Sequence, residues 1–188
     1  MNDSELMMRY VRGDRSAFDT LFVRYREPLR RYFRAQGATQ DAAKDLTQQT
    51  FLHLHRARND FRSDHALRPW LYAIAKNVLR HELRRRRRKP EALVPDEALD
   101  RADPAEMLGS SRLDVARLLA QLPPPQRDVL ILYWIQGLSF AEVGTTLGIR
   151  ETAARVRAHR AYAALRKLLE NEHELGNTVP QAGIVTDG

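Results

Sequence analysis

The chain has 188 residues, with 31 Lys and Arg against 24 Asp and Glu, 43% hydrophobic residues and no cysteine. This length fits one ordinary domain or two small ones, and the formal net charge of +7 points to a polyanionic partner. The missing cysteine excludes disulfides, thiolate metal sites and cysteine nucleophiles. The opening MNDSELMMRY lacks the basic stretch and apolar core of a signal peptide. The longest apolar run, Val129 to Ile135, is too short to span a bilayer, so a cytoplasmic protein is expected.

In chain order the pattern is helical throughout, with no strand alternation. A first helix is predicted from about Ser4 to Arg12, stopped by Gly13. In a second, Phe18, Leu21, Phe22, Tyr25, Leu29, Tyr32 and Phe33 recur at three- and four-residue spacing on one apolar face. Pro28 is expected to kink that helix and Gly37 to end it. Thr39 caps a third helix, whose stripe is Ala43, Leu46, Thr50 and Leu54. Asn59 to Ala66 reads as a polar loop, and Pro69 as the first residue of a fourth helix with Leu71, Ile74, Ala75, Val78 and Leu79 on its core side.

Residues 61–89 carry ten basic and two acidic side chains; residues 90–112 carry two basic and six acidic, with Pro90, Pro95 and Pro104. The second stretch reads as a flexible acidic linker. Beyond it, a helix from Leu113 to Leu122 stops at three prolines, and another runs to Gly137. Ser139-Phe140-Ala141-Glu142 is a capping box, and Leu147-Gly148-Ile149 makes a tight turn. A long last helix carries Ala154, Ala158, Ala161, Leu165 and Leu168 inward. From Asn171 the periodicity fades, and 171–188 reads as a disordered tail. The organisation expected is 1–89, a linker over 90–112, 113–170 and that tail.

Residues 139–160 form the strongest functional signal. A short capped helix, a glycine turn and a helix with small inner residues make a helix-turn-helix, whose second helix enters the major groove. Its outward positions are Arg150, Thr152, Arg155, Val156, His159 and Arg160. Arg155 and Arg160 can reach guanine edges or phosphates, and Val156 a thymine methyl. A helical hairpin with solvated arginines is the plainer alternative; the capping box and nearby arginines favour DNA.

A second signal is Lys76, Arg80 and Arg84 at i, i+4, i+8, a stripe suited to a phosphate backbone, continued by the basic run to Lys89. Asn77 beside it is a candidate for a base edge. Phe61, His65 and Trp70 precede the stripe and suit stacking of melted bases, although core packing is the better reading of each ring taken singly. On the third helix Asp45, Gln48, Gln49, Leu52 and Arg56, with Phe51 at the edge, mix polar and apolar character as a protein interface does, although an ordinary solvated face is the better reading of the residues alone.

Enzyme signatures are absent. There is no GxxxxGK[ST] or GxGxxG, and the six histidines make no HExxH. No catalytic residue, metal, cofactor or small-molecule substrate is expected.

Four stretches in this order resemble the extracytoplasmic-function (ECF, group 4) sigma factors of bacterial RNA polymerase: DLTQQTFLHLHRAR (45–58), PWLYAIAKNVLRHELRR (69–85), LAQLPPPQRDVLILYWIQGLSFAEVGTTLGI (119–149) and the arginine-rich helix that follows. The resemblance implies an all-α fold of two small domains joined by a flexible linker. One is a four-helix sigma region 2; the other is a helix-turn-helix sigma region 4. It implies that Asp45, Gln48, Phe51 and Leu52 bind core RNA polymerase at the clamp helices of the largest subunit, with the flap as a further contact. It implies minus-10 DNA binding and melting by Phe61, Trp70, Lys76, Asn77, Arg80 and Arg84, the 61–68 loop taking a flipped base. Minus-35 DNA falls to Arg150, Thr152, Arg155, Val156, His159 and Arg160. The linker is expected to thread the polymerase active-site cleft, and an anti-sigma factor, in many members membrane-bound, to hold the protein inactive. Arg150, Ala153, Ala154 and Val156 depart from residues frequent in the family. The competing reading is a stand-alone helix-turn-helix regulator.

Overall fold

The computed structural model describes residues 2–88 and 117–176, with side chains through Glu170. The expected linker over 90–112, and the part of the expected tail beyond residue 176, lie outside the described residues. Among those described there are helices and no strand: α1 (Asp3–Val11), α2 (Arg15–Ala35), α3 (Gln40–Arg56), a 3-10 turn (Arg58–Asp60) and α4 (Leu67–Arg88) come first. Helical residues 117–121 follow, then α5 (Pro124–Leu130), which runs into a π-helical turn (Ile131–Ile135), α6 (Phe140–Leu147) and α7 (Glu151–Gly176).

Local chemistry sets these boundaries. Asn2 caps α1 in a reciprocal box with Glu5, which sequence reading did not find. The Asp14 carboxylate accepts from the amides of Ser16 and Ala17 at the start of α2. Hydrogen bonds from Ser16 and Arg9 hold that carboxyl below its ordinary range. Thr39 caps α3 as expected. Gly37, at φ +93°, lets the chain turn back after α2, a conformation that disfavours a side chain.

Helix α2 runs through Pro28 as one helix, and two other expectations change in detail. The carbonyl that proline leaves unpaired belongs to Arg24, on an exposed position where water can serve it. Helix α4 begins at Leu67, two residues before Pro69, which therefore falls within the first turn, whose amides have no helical acceptor in any case. Helix α7 runs to Gly176, so residues 171–176 are helical where a disordered tail was expected. Glu172, Glu174 and Leu175 are good helix formers and extend a helix already nucleated, without needing an apolar stripe.

The first four helices enclose one core. Leu21, Leu29, Tyr32 and Phe33 of α2 meet Leu46, Phe51 and Leu54 of α3 and Leu71, Tyr72 and Val78 of α4, all buried. Each such side chain contributes about 1.5–3 kcal/mol over its exposed state. The same buried cluster continues through Leu118, Leu119 and Leu122, Val129–Leu132, Val143, and the alanines 154, 158 and 161. The π turn widens the helix so that Ile131 and Leu132 stay buried while Trp134 and Ile135 face outward.

The two groups of helices touch. Tyr72 Oη donates to Gln136 Oε1 at 2.6 Å, Gln36 Nε2 donates to Asp128 Oδ1 at 2.8 Å, and Lys76 Nζ pairs with Asp128 Oδ2 at 3.3 Å. Arg68 donates to the Gln136 carbonyl and Thr146 Oγ1 to the Pro69 carbonyl, the latter at 3.3 Å.

Candidate nucleic-acid interface

The helix-turn-helix is assembled by backbone geometry. Ser139 Oγ accepts from the Glu142 amide at 3.2 Å, and Glu142 Oε2 accepts from the Ser139 amide at 2.8 Å, which fixes the start of α6. Gly148, at φ +66°, ends α6 in the left-handed conformation, and the Ile149 amide closes on the Gly144 carbonyl at 2.9 Å. Ala154, Ala158 and Ala161 are buried, because only small residues let α7 approach α6 this closely.

That packing turns Arg150, Thr152, Arg155, Val156, His159 and Arg160 outward, all of them exposed. Arg150 sits at the N-cap position, its carbonyl accepting from the Ala154 amide at 3.1 Å. A guanidinium has no acceptor with which to cap. The Arg155 guanidinium lies 5.1 Å above the Phe140 ring and pairs with Glu151 at 2.6 Å, and Phe140 in turn stacks on Tyr133 at 4.2 Å. Arg155 is thus held in one orientation, and any anion it takes competes with Glu151.

On α4, Asn77, Arg80 and Arg84 are exposed, and Arg80 donates to Asn77 Oδ1 at 3.1 Å. Lys76 is half-buried through its pair with Asp128. Farther along, Glu82 pairs with Arg85 and Arg86 at 2.8 and 2.9 Å, leaving Arg84, Arg87 and Arg88 outward. Hydrogen bonds from Arg85 and then Arg86 pull the Glu82 carboxyl down to about 2 from an ordinary 4.5. A carboxyl depressed in the folded state stabilises above its unfolded pKa and loses that contribution as pH falls through the folded one. The last turn of α4 is therefore expected to fray between about pH 4.5 and about pH 2. Amide exchange at Arg84–Arg88 checks this, since a Glu82→Gln variant should show no such transition.

Two aromatic candidates are corrected. Phe61 is only 7% exposed and packs against Trp70 with centroids 5.3 Å apart, so its ring serves the core and is not open to a stacked base. Trp70 keeps one partly exposed side. Phe51 is likewise buried, between Phe18 and Phe22, and not on the α3 surface. Their neighbours remain outward: Ser63, Asp64, His65 and Ala66 form an exposed loop tied to α1 by Ser4 Oγ donating to the His65 carbonyl at 3.1 Å. Asp45, Gln48, Gln49, Leu52 and Arg56 make one exposed face of α3, with Leu52 at 55%.

Sequence reasoning missed Gln36, Arg68, Tyr72, Asp128 and Gln136, which hold the helix groups together. Nothing local marks a pair separated by 92 residues, as Gln36 and Asp128 are. Among the described residues no cluster of His, Asp or Glu is fit to hold a metal ion, and no helix is long and apolar enough to cross a membrane.

Comparison with known families matches residues 21–89 to Sigma-70 region 2 and residues 112–165 to Sigma-70, region 4. The ECF RNA polymerase sigma factor SigM of Mycobacterium tuberculosis is 36% identical over 170 residues, covering 89% of this chain and 85% of SigM. The chain belongs to the ECF RNA polymerase sigma factors. The RNA polymerase sigma factor CarQ of Myxococcus xanthus is also similar, 35% identical over 170 residues, covering 87% of this chain and 95% of CarQ. Among solved structures, CnrH in complex with the cytosolic domain of CnrY superposes with a TM-score of 0.73 at 28% identity, over 90% of this chain and 97% of that one. The sigma factor RpoE from Bartonella quintana, in complex with the anti-sigma factor NepR, shares the fold at a TM-score of 0.67.

As a sigma factor this chain directs RNA polymerase to begin transcription at promoters, and the reading as a stand-alone regulator is set aside. The helix-turn-helix lies inside the region 4 match. The α3 face and the α4 stripe lie inside the region 2 match.

Proposed function

We propose that this sigma factor divides its work between three surfaces. The exposed face of α3, with Asp45, Gln48 and Leu52, docks on the largest subunit of core polymerase. The α4 stripe of Lys76, Asn77, Arg80 and Arg84, with the 63–66 loop, takes minus-10 DNA. The outward face of α7 takes minus-35 DNA through Arg155, Val156, His159 and Arg160, with Arg150 and Thr152 at its start. One observation carries this reading: helix packing turns Thr152, Arg155, Val156, His159 and Arg160 of α7, with Arg150 just before it, outward on a capped, glycine-turned support.

The domains are taken as 1–89 and 113–170, and Trp134 with Ile135 offers an apolar patch for the polymerase flap. The protein works in the cytoplasm, beside polymerase, and contributes no catalytic group, metal or cofactor of its own. An anti-sigma factor holds it inactive; CnrH, 28% identical, is seen in complex with the cytosolic domain of CnrY.

Arg155→Ala and Arg160→Ala test the recognition face. Each should cost about 1–3 kcal/mol of discrimination between a matched and a mismatched minus-35 element. Competition binding of holoenzyme on the two fragments measures it. Equal weakening on both fragments would reassign the residue to phosphate contact and overturn base reading.

A further inference from the structure

We propose that Phe140 and Glu151 are positioning residues that make Arg155 a reader of guanine. The ring carries the guanidinium, the carboxylate takes its side edge, and the terminal nitrogens are left for one base. This rests on the function proposed above and names what the α7 face selects.

The support is built outward from the π turn. Tyr133 lies in that turn and is half-buried. Phe140, the first residue of α6, stacks on it with centroids 4.2 Å apart and planes 10° from parallel. The Ser139–Glu142 box fixes the backbone on which Phe140 stands. The Arg155 guanidinium lies over the Phe140 ring, 5.1 Å from its centre, where a cation is drawn to the face of an aromatic ring. Glu151, one turn earlier on α7, approaches from the side. Its Oε1 accepts from Arg155 Nε at 3.1 Å and from Nη2 at 2.6 Å. Glu four residues before Arg is the favoured order along a helix, and the first turn of a helix favours a carboxylate. Glu151 stands in the first turn of α7, so the helix itself keeps it there.

The donors left over decide what Arg155 can take. A guanidinium carries all its N–H groups in one plane. Glu151 engages Nε–H and one hydrogen of Nη2, which leaves the other Nη2 hydrogen and those of Nη1 at the tip. That tip is the fork that meets O6 and N7 of guanine in the major groove. Charge then selects base over backbone. A phosphate brought to the fork also meets the Glu151 carboxylate and is repelled, whereas a guanine edge is neutral. With a ring beneath it and a carboxylate beside it, the guanidinium has little freedom left to lose on binding. An arginine without these two supports takes a phosphate as readily as a base.

Competition binding of holoenzyme, the chain with core polymerase, on a promoter fragment that it transcribes provides the test. Each guanine of the minus-35 element is replaced in turn by 7-deazaguanine, which pairs normally and lacks only the N7 acceptor. One such replacement should weaken the wild-type holoenzyme about tenfold. Phe140→Leu and Glu151→Gln should each remove most of that penalty, and Phe140→Tyr, which keeps the ring, should retain it. Glu151→Gln should also tighten binding to a fragment with a scrambled minus-35 element. The salt dependence of that binding should steepen by about 0.9 in log–log slope, the value of one phosphate contact. Glu151 is exposed, so its variant leaves the core alone and carries the test if Phe140→Leu lowers the melting temperature. A penalty that Arg155→Ala abolishes but Phe140→Leu and Glu151→Gln preserve overturns the positioning role. So does equal weakening of every fragment by both variants, which a merely structural role would produce. An Arg155→Ala variant that keeps the whole penalty would strike at base reading by Arg155 in the function proposed above, and would take this proposal with it.

Discussion

Asp45→Arg is expected to abolish co-purification of the sigma factor with core polymerase while leaving the fold intact. Asp45 is exposed on α3, so the substitution acts at the surface and not in the core. Gln48, Gln49, Leu52 and Arg56 follow at helical spacing on the same face. Leu52, 55% exposed on a soluble helix, is the apolar centre of that face and Asp45 its charged edge. Reversing one charge of a paired interface leaves the partner's group desolvated against a like charge, at about 2–5 kcal/mol. The loss should appear in the association rate and its salt dependence as well as in the dissociation rate, read by surface-immobilised polymerase. A variant that binds like the wild type would remove α3 from the interface, while Leu52→Ala, which makes no charge clash, should weaken binding less.

Gly144→Ala is expected to disable minus-35 recognition without touching a DNA contact. A Cβ on Gly144 would meet the Ile149 carbonyl oxygen at 2.8 Å and the Glu151 amide nitrogen at 3.3 Å. Both are backbone atoms in the turn, so neither can swing aside as a long side chain would. The turn must open or α6 must shift, at about 1–3 kcal/mol of overpacking. The angle at which α7 leaves the turn then changes, and with it the aim of Arg155 and His159. The variant should lower the melting temperature and lose preference for the matched minus-35 fragment, yet still bind core polymerase through α3. Unaltered thermal stability would mean that the turn yields freely, and the close approach would lose its role.

Much of this was legible in the sequence because it is local. The Ser139–Glu142 box, Gly148 and the alanines of α7 are read within one or two turns of chain, and each has a conformational reason. The apolar stripe of α2 likewise follows from spacing alone. What the sequence withheld depends on direction or distance. Whether Phe51 and Phe61 face the core or the surface depends on which neighbours claim the space: Phe22 takes one ring and Trp70 the other. Adjacent residues such as Phe51 and Leu52 differ by about 100° around a helix, so an error of one position exchanges buried for exposed. The joint of Gln36, Tyr72, Asp128 and Gln136 joins residues 64 to 92 apart that carry no motif. The π turn at Ile131–Ile135 hides in an apolar run that suits an ordinary helix equally well, though it decides that Trp134 faces outward.

The central claim, that this chain gives a polymerase its promoters, is tested most directly by run-off transcription from a fragment library with purified core polymerase. The account predicts discrete transcripts from a few fragments sharing two spaced elements, present only when the chain is added. The same background with and without the chain would contradict it.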